Sequence, residues 1–175
     1  MTGGPSSTGV DRIRETLKER ARALARPLAA AQRGEVLDLL TFGLAGEVYG
    51  MPSRRVQAVF RLTQVSALPG STPPLFGVTA WRGDVLTILD LRTALGLHRG
   101  ALNDLRQVIV VGDGRVVFGI LADEAHGIVA VPTGEIHPVS GDLGGRGAYL
   151  RGITSNAVLV IDDRRMFESV GVHLE

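Results

Sequence analysis

The sequence contains no cysteine and few aromatic residues, and these absences remove several classes of function. Without cysteine the chain has no disulfide framework, no thiol nucleophile and no thiolate metal site. Aromatic residues make up only 5% of the chain, so no platform for stacking nucleic-acid bases is visible. No apolar run approaches the roughly 20 residues that a membrane-spanning helix needs. Residues 1–9 lack the apolar core of a signal peptide, so we expect a cytoplasmic protein with no direct membrane insertion.

Charge of either sign is nearly balanced, but its distribution is uneven. Residues 1–34 hold seven Lys/Arg and three Asp/Glu, a net charge of +4, whereas the remainder holds twelve and fifteen, a net charge of −3. The negative charge of the remainder opposes contacts with a nucleic-acid backbone. A nucleic-acid binder would therefore have to act through the basic N-terminal segment.

The N-terminal segment, residues 1–34, combines a polar tail with an amphipathic pattern. Its apolar positions recur three or four residues apart, at Val10, Ile13, Leu17, Ala21, Leu24 and Leu28. This spacing predicts an α-helix that ends near Arg26, because the residue before Pro27 avoids the helical region. Two interpretations stay open: the helix packs its stripe on the body, as such helices commonly do, or it docks on an acidic partner or anionic surface.

Short apolar runs with turn residues between them occupy the rest of the chain. The predicted strands are 36–43, 47–52, 55–63, 76–81, 84–90, 106–112, 115–121, 124–131, 149–155 and 156–162. Strands at this spacing favour an antiparallel sandwich or barrel. The segments 71–74 and 140–147 are rich in Pro, Gly and Ser, so we expect loops there and a mobile one at 140–147. Asp90 and Asp162 are predicted to cap short helices.

The same pattern occurs twice in the body. Val48-Tyr49-Gly50-Met51 and Val117-Phe118-Gly119-Ile120 match class for class, each as the second strand of a predicted hairpin. A Gly-Val/Ile-Thr stretch then leads to an apolar strand and Asp-x-Arg in both halves, ending at Arg92 and Arg164. A repeat of nearly half the chain predicts a duplicated small domain and a paired-barrel binding protein.

Enzyme chemistry has weak support in the sequence. The four histidines are scattered and never fall at i, i+4, a spacing that would bring zinc ligands together, and no Gly-x-Ser-x-Gly elbow occurs. No glycine-rich stretch is followed by Lys-Ser/Thr before a helix, as a phosphate loop requires. The alternative of a small enzyme rests on Asp123, Glu124 and His126, and it requires these side chains to converge in a pocket. We expect no catalytic residue, cofactor or metal.

Residues 76–92 place a turn between two apolar strands, and seven of them form a recognisable pattern: Gly77, Val78, Arg82, Gly83, Asp90, Leu91 and Arg92. This segment resembles the CheW family, the coupling proteins of bacterial chemotaxis. The family pattern is Gly-Val-x-Asn-x-Arg-Gly, an apolar strand containing Pro, and Asp-Leu-Arg. The resemblance extends over about 36–170, through a first hairpin at Glu47-Val48-Tyr49-Gly50 and the stretch Val117–Glu124.

The resemblance implies an all-β protein, mainly β with a few short helices: two packed, five-stranded SH3-like barrels of the CheW-like domain, plus the N-terminal helix. We place the first barrel at 35–100 and the second, with a C-terminal helix, at 101–175. Which barrel holds the first strand and the final helix stays open. The implied role is a non-enzymatic adaptor in signal transduction, a monomer that joins larger arrays. Its implied partners are the regulatory domain of a CheA-like histidine kinase and the cytoplasmic tip of a chemoreceptor.

The resemblance also implies a protein-binding site. Val56 and Ala58 fall on the strand that faces the receptor, Gly77 and Ala80 on the adjoining strand, and Arg82 and Gly83 on the following turn. Arg82 is expected to tie the turn to a carboxylate or to backbone carbonyls, which would shape the groove.

Three departures from the family pattern separate the functional alternatives. Ala80 replaces the Asn of the turn, Thr87 the Pro of the strand, and Ala58 a common acidic residue. The family fold tolerates these changes because none removes a large core side chain, but the usual polar contacts to a receptor would be missing. A divergent CheW-like protein that binds only the kinase or only the receptor, and so modulates or inhibits coupling, is therefore the alternative to an adaptor.

Overall fold

A computed structural model describes residues 35–97, 107–139 and 144–174. Within these ranges the chain is built mainly from β-strands, as the sequence predicts. The ten strands are β1 (Val36–Leu44), β2 (Glu47–Pro52), β3 (Val56–Arg61), β4 (Leu75–Trp81), β5 (Asp84–Leu89), β6 (Gln107–Gly112), β7 (Val117–Ala122), β8 (Glu124–Pro132), β9 (Leu150–Ile153) and β10 (Leu159–Ile161). The helix expected in residues 1–34 lies outside the described residues.

Two α-helices and three short 3-10 segments complete the described structure. Helix α1 (Leu91–Ala94) follows β5, and helix α2 (Asp163–Leu174) follows β10. The 3-10 segments are Ser53–Arg55, Thr133–Glu135 and Gly144–Tyr149. The last of them corrects the expectation of a mobile loop at residues 144–147, whereas residues 140–143 lie outside the described ranges. The Arg146 guanidinium donates to both carboxylate oxygens of Glu47, at 3.1 and 3.2 Å, and so ties this segment to β2.

The strands form two five-stranded sheets, and each sheet takes strands from both halves of the chain. Sheet A has the order β8-β1-β2-β10-β9, and sheet B has the order β3-β6-β7-β5-β4. The two β-hairpins that begin the halves, β1–β2 and β6–β7, are therefore exchanged. A division at residue 100 does not separate the sheets, which corrects the expected barrel boundaries of 35–100 and 101–175. Strand β1 thus lies in sheet A beside β8 of the second half. The final helix, α2, also begins at sheet A, after β10.

The repeat read from the sequence appears as a symmetry of the two sheets. Advancing every strand of sheet B by five places, with return to β1 after β10, converts its order into that of sheet A. The registers agree as well: Thr41 pairs with Gly50 in one exchanged hairpin, and Val110 pairs with Gly119 in the other. The two halves thus repeat both the order and the pairing of their strands.

Each sheet curls until its edges are linked by a single bridge. Ser66, beyond β3, exchanges two backbone hydrogen bonds of 2.8 and 2.9 Å with Val78 of β4. His137, beyond β8, makes the same pair of bonds with Ile153 of β9. Five strands with this closing bridge make each sheet a small barrel. The barrels are the two five-stranded units that the resemblance implies.

Glycine is needed at both closing bridges, since the incoming chain passes directly over the strand. A Cβ atom on Gly77 would lie 2.6 Å from the Ser66 carbonyl oxygen, and one on Gly152 would lie 2.5 Å from the His137 carbonyl oxygen. Real Cβ atoms essentially never approach other atoms this closely. The Gly-Val/Ile-Thr repeat of the sequence therefore has a structural cause in barrel closure.

Among the described residues, apolar side chains form three cores. One lies inside each barrel, and the third and largest lies between the sheets. The core between the sheets is built from both exchanged hairpins, from helices α1 and α2, and from Leu89, Leu150 and Ile161 of β5, β9 and β10. Phe118 of β7 and Phe167 of α2 meet there with ring centroids 5.1 Å apart. This shared core joins the two barrels.

The Asp-x-Arg pattern at the end of β5 forms a buried ion pair. Asp90 accepts hydrogen bonds from the backbone N–H of Arg92 and from its guanidinium, at 2.9–3.1 Å. Both side chains are about 95% buried, so neither charge could be buried alone without a large penalty. The hydrogen bond to Asp90 raises the pKa of Arg92. Asp90 and Asp162 both cap helices, as predicted; Asp162 accepts from the backbone N–H of Arg165.

A second charge cluster fastens helix α2 to the crossover between the sheets. Arg54 and Arg55 lie in the 3-10 turn where the chain leaves sheet A for sheet B, and both donate to Asp163, at 2.9 and 2.6 Å. The Arg55 guanidinium also lies over the Phe167 ring, 5.4 Å from its centroid. These contacts connect the crossover to the first turn of α2.

Replacing Gly77 or Gly152 with alanine tests barrel closure. Each variant is expected to lower the free energy of unfolding by about 1–3 kcal/mol, the usual cost of overpacking. Urea denaturation measures the loss. Gly134→Ala is the matched control, because no atom lies within 4 Å of its added Cβ. Equal unfolding midpoints for all three variants would contradict this account of the two glycines.

Asp163→Asn tests the link between α2 and the crossover. Burial alone raises the pKa of Asp163, but the hydrogen bond from Arg55 and the charges of both arginines outweigh it and leave the pKa below its usual value. A carboxylate of this kind stabilises the fold above its unfolded pKa of about 4, and the contribution disappears as the pH falls through the folded value.

The Asp163→Asn variant should therefore lose roughly 1–3 kcal/mol at pH 7, while its stability converges with that of the wild type towards acid pH. Denaturation curves between pH 3 and 7 measure the difference. Glu168→Gln, which removes an exposed partner of Arg164, should change little at any pH. A difference that persists at low pH would sink this explanation.

Candidate functional site

The predicted binding residues lie on two edges of sheet B. Val56 and Ala58 are on β3, Gly77 and Ala80 are on β4, and Arg82 and Gly83 form the β4–β5 turn. The prediction that β3 and β4 adjoin needs correction: among the described strands they stand at opposite ends of the order of sheet B, and β3 pairs with β6. The closing bridge at Ser66 links β4 to the extension of β3 instead.

The two β3 residues face different cores. Val56 is half-buried and packs against the core between the sheets. Ala58 packs instead against the core inside barrel B, the barrel that sheet B forms. Both side chains therefore contribute to packing, whereas the resemblance implies that their strand faces the receptor. Val59, the next residue of β3 after Ala58, is apolar and 41% exposed.

The β4–β5 turn is a two-residue connection between paired residues Trp81 and Asp84. Arg82 and Gly83 both have positive φ angles, 53° and 90°. This combination is typical of the tight hairpin turns that match strand twist, where Asn and Gly are the favoured residues. Arginine is uncommon at such a φ.

The Arg82 side chain folds back over its neighbour. Its guanidinium carbon lies 4.6 Å from the centroid of the Trp81 ring, in a cation–π contact. Throughout the described residues, no carboxylate or carbonyl accepts a hydrogen bond from Arg82. The expected tie to such a group is thus absent from this part of the chain.

An apolar surface adjoins the turn. Ala80 is exposed and lies directly across from Val85 of β5, which is 77% exposed. Val85, Thr87 and Leu89 share one side of β5, because alternate residues of a strand point the same way. Leu89 belongs to the core between the sheets. The exposed pair is therefore the outer end of a surface that runs into that core.

Sequence reasoning did not identify Val85 or Trp81 as candidate site residues. Val85 is the first apolar residue of a strand with an ordinary core composition, so composition alone does not mark it as exposed. The alternation from Val85 to Leu89 was the available signal, since it assigns Val85 to the outer side of the barrel once Leu86 and Ile88 are placed inside.

A second exposed apolar surface lies on edge strand β8 of sheet A. Ile128 is 66% exposed and Val129 is 41% exposed. The pairing of Ile128 with Leu40 corresponds, through the repeat, to that of Val59 with Ile109. Equivalent positions on the two edge strands thus both present an aliphatic side chain to solvent.

Two of the residues on which the enzyme alternative rests, Asp123 and His126, take part in the β-structure. A carboxylate oxygen of Asp123 accepts a 2.7 Å hydrogen bond from the backbone N–H of Ala45. His126 lies at a β-bulge, where the register between β1 and β8 shifts. Across residues 35–97, 107–139 and 144–174, no three His, Asp or Glu side chains are grouped as a metal site.

No helix in the same ranges is long and apolar enough to span a membrane.

Comparison with known proteins identifies relatives that match most of this chain. The CheW-like domain family matches residues 38–171. Protein FrzA of Myxococcus xanthus is 32% identical over 65% of this chain and 70% of its own length. The probable chemotaxis protein CheW of Rhizobium etli is 32% identical over 73% of this chain and 79% of its own. The solved structure of the scaffolding protein TtCheW from Thermoanaerobacter tengcongensis gives a TM-score of 0.63 over 75% of this chain and 86% of its own, at 20% identity.

Arg82→Asn tests whether the fold needs this arginine. Asparagine is better suited to the positive φ, and its gain should offset the lost cation–π contact, worth roughly 0.5–1 kcal/mol at an exposed site. The free energy of unfolding should therefore stay within about 0.5 kcal/mol of the wild type in urea denaturation. Arg92→Ala should instead cost about 3 kcal/mol or more, because it strands the buried Asp90 charge. A comparable loss in Arg82→Asn would make the turn arginine a structural residue.

Proposed function

Because the chain belongs to the CheW-like domain family, we propose that it is a non-enzymatic adaptor that couples chemoreceptors to a CheA-type histidine kinase. The observation that carries the proposal is the family match over residues 38–171, which includes strands of both sheets and both exchanged hairpins. Relatives named as chemotaxis and scaffolding proteins support the same role. The proposed site of action is cytoplasmic, at the inner face of the membrane beside receptor arrays.

The proposed receptor-binding surface is the outer side of the β4–β5 hairpin together with β3. Ala80 and Val85 supply apolar area, and the Arg82–Gly83 turn frames its end. Gly77 contributes through the closing bridge that holds β4 in position. Val56 and Ala58 contribute by fixing the course of β3. A partner helix that lays an apolar face on such a surface uses a familiar mode of peptide recognition.

The second candidate is a modulator that binds the kinase or the receptor but not both. The observation that favours it is the exposed Ala80, which stands where the family pattern has Asn and which brings no hydrogen-bonding group to the surface. In an adaptor, binding to one partner must leave the surface for the other accessible. In a modulator, one of the two surfaces has lost its partner.

Binding measurements with separate partners test the proposal. The full chain should bind both the regulatory domain of a CheA-type kinase and a soluble chemoreceptor fragment in calorimetry. Ala80→Glu should weaken receptor binding by about tenfold or more, because it buries a charge in the proposed contact. Ala130→Glu is the matched control: Ala130 is an exposed strand alanine on sheet A, and its receptor binding should stay near that of the wild type.

Each outcome assigns the protein differently. Binding to only one partner would replace the adaptor with the modulator. Wild-type protein that binds neither a kinase domain nor a receptor fragment would refute both. Equal weakening by Ala80→Glu and Ala130→Glu would leave the adaptor role in place and remove the β4–β5 surface from it.

A further inference from the structure

One stretch of β5 has no neighbouring strand on one of its two sides. The strand pairs with β4 along its length, but its parallel ladder with β7 begins only at Ile88, opposite Gly119. Residues 84–87 therefore extend beyond this ladder, and we call their unpaired side the β5 edge. The corresponding strand of sheet A, β10, pairs with β2 from its first residue, Leu159.

The alternation of the strand decides which backbone groups face the β5 edge. A two-residue hairpin turn is closed by a pair that exchanges hydrogen bonds, here Trp81 and Asp84. The register is regular as far as Thr87, so Val85 and Thr87 direct their backbone groups away from β4. Within the described ranges, no ladder or loop hydrogen bond engages the Val85 N–H and C=O or the Thr87 N–H. Val85 is 77% exposed, so the edge beside it is open to solvent.

Position 87 supplies a hydrogen-bond donor that the family pattern lacks. That pattern has Pro in this strand, where Thr87 stands in this chain. Proline has no N–H, and strands accept it only where that N–H is not needed for a ladder. Threonine therefore adds a donor to the β5 edge that the described part of the protein does not use.

The outer strands of both sheets carry features that oppose the addition of another strand. Closing bridges join β4 and β9 to the chain segments opposite them, and β-bulges interrupt β3 and β8. The Gln107 side chain also covers part of β8, since it accepts a 2.7 Å hydrogen bond from the Ala125 N–H. Such devices prevent strands from pairing with other chains. Residues 84–87 contain no bulge.

We propose that the β5 edge pairs with the same edge of a second copy of this chain. In an antiparallel pair centred on Val85, each Val85 lies opposite its own counterpart, and the two residues exchange two N–H···O=C bonds. The Thr87 N–H of each copy then faces the Gly83 turn of the other. Asp84 lies opposite Leu86, so no like charges are directly opposed. This self-complementarity identifies a second copy as the occupant.

The pairing goes beyond the adaptor role and does not depend on it. It joins the β4–β5 hairpins of two copies into one four-stranded surface. Ala80 lies across from Val85 within each copy. Two alanines and two valines therefore form one aliphatic row across the dimer, twice the length of the row in a single copy.

Sedimentation of the full chain over a range of concentrations tests the pairing. The average mass should rise from 18.6 kDa towards twice that value between about 10 µM and 1 mM, since the contact contains few hydrogen bonds. Thr87→Pro removes the N–H and should weaken the dimer by about tenfold or more. Thr87→Val keeps the N–H and is the matched control; its dimer should stay within about twofold of the wild type.

The aliphatic centre of the contact is tested by introducing charge. Val85→Asp places two like charges opposite each other and should abolish the dimer over the same concentrations. Ile128→Asp is the control, because Ile128 is also an exposed aliphatic residue but lies on β8. Its average mass should follow that of the wild type.

Single cysteines report the register of the pair, because the natural chain contains none. Residues that exchange hydrogen bonds across antiparallel strands have Cα atoms about 5.5 Å apart, within reach of a disulfide. Val85→Cys should therefore cross-link two copies rapidly under mild oxidation. Asp84→Cys should cross-link far more slowly, since the two positions 84 are offset by two residues and lie more than about 7 Å apart.

Each result supports or overturns the proposed dimer. A mass that stays at 18.6 kDa up to the highest concentration would overturn it. So would a dimer that persists in Thr87→Pro, or one that Ile128→Asp abolishes and Val85→Asp does not. If urea denaturation shows that Thr87→Pro is unfolded, the cysteine pair decides: equal cross-linking of Val85→Cys and Asp84→Cys overturns the register. Binding to a kinase domain or receptor fragment is measured separately, so the adaptor role is unaffected by these outcomes.

Discussion

The apolar core between the two sheets is the interaction on which the remaining structure depends. Its side chains come from both exchanged hairpins, from helices α1 and α2, and from Leu89, Leu150 and Ile161. Neither half of the chain supplies a complete sheet, so neither half can bury these side chains alone. Hydrophobic burial, the dominant favourable contribution to folding, thus acts through contacts between the halves. The cores inside the two barrels are smaller than this shared core.

Polar contacts then fix the geometry that the apolar core leaves adjustable. Backbone hydrogen bonds close each barrel at Ser66 and His137, where glycine permits the approach. The Asp90–Arg92 pair sets the start of α1, and the two arginines of the crossover hold Asp163 at the start of α2. Nonpolar burial has no direction, whereas these bonds do. Together they fix the closure of each barrel and the starts of helices α1 and α2.

The local sequence was sufficient to predict strands, turns and caps. Alternating or continuous apolar runs marked all ten strands, and Asp90 and Asp162 cap helices as their positions before helical residues indicated. The exchange of hairpins was not predictable in this way. The repeat makes Val48–Met51 and Val117–Ile120 nearly equivalent in residue type. By composition alone, either hairpin could therefore supply the central strands of either sheet. Only long-range packing distinguishes the two pairings, and periodicity along the chain does not report it.

Hairpin exchange also sets an order in which the growing chain can fold during synthesis. Barrel B needs strands from β3 to β7, so its last strand has emerged once residue 122 has left the ribosome. The β1–β2 hairpin, made earlier, must wait for β10 near residue 161 before its own sheet is complete. During that interval Leu39 and Phe42, fully buried in the finished protein, have no sheet to pack in. The earliest part of the β-body is therefore the last to be protected from chaperones, proteases and other nascent chains.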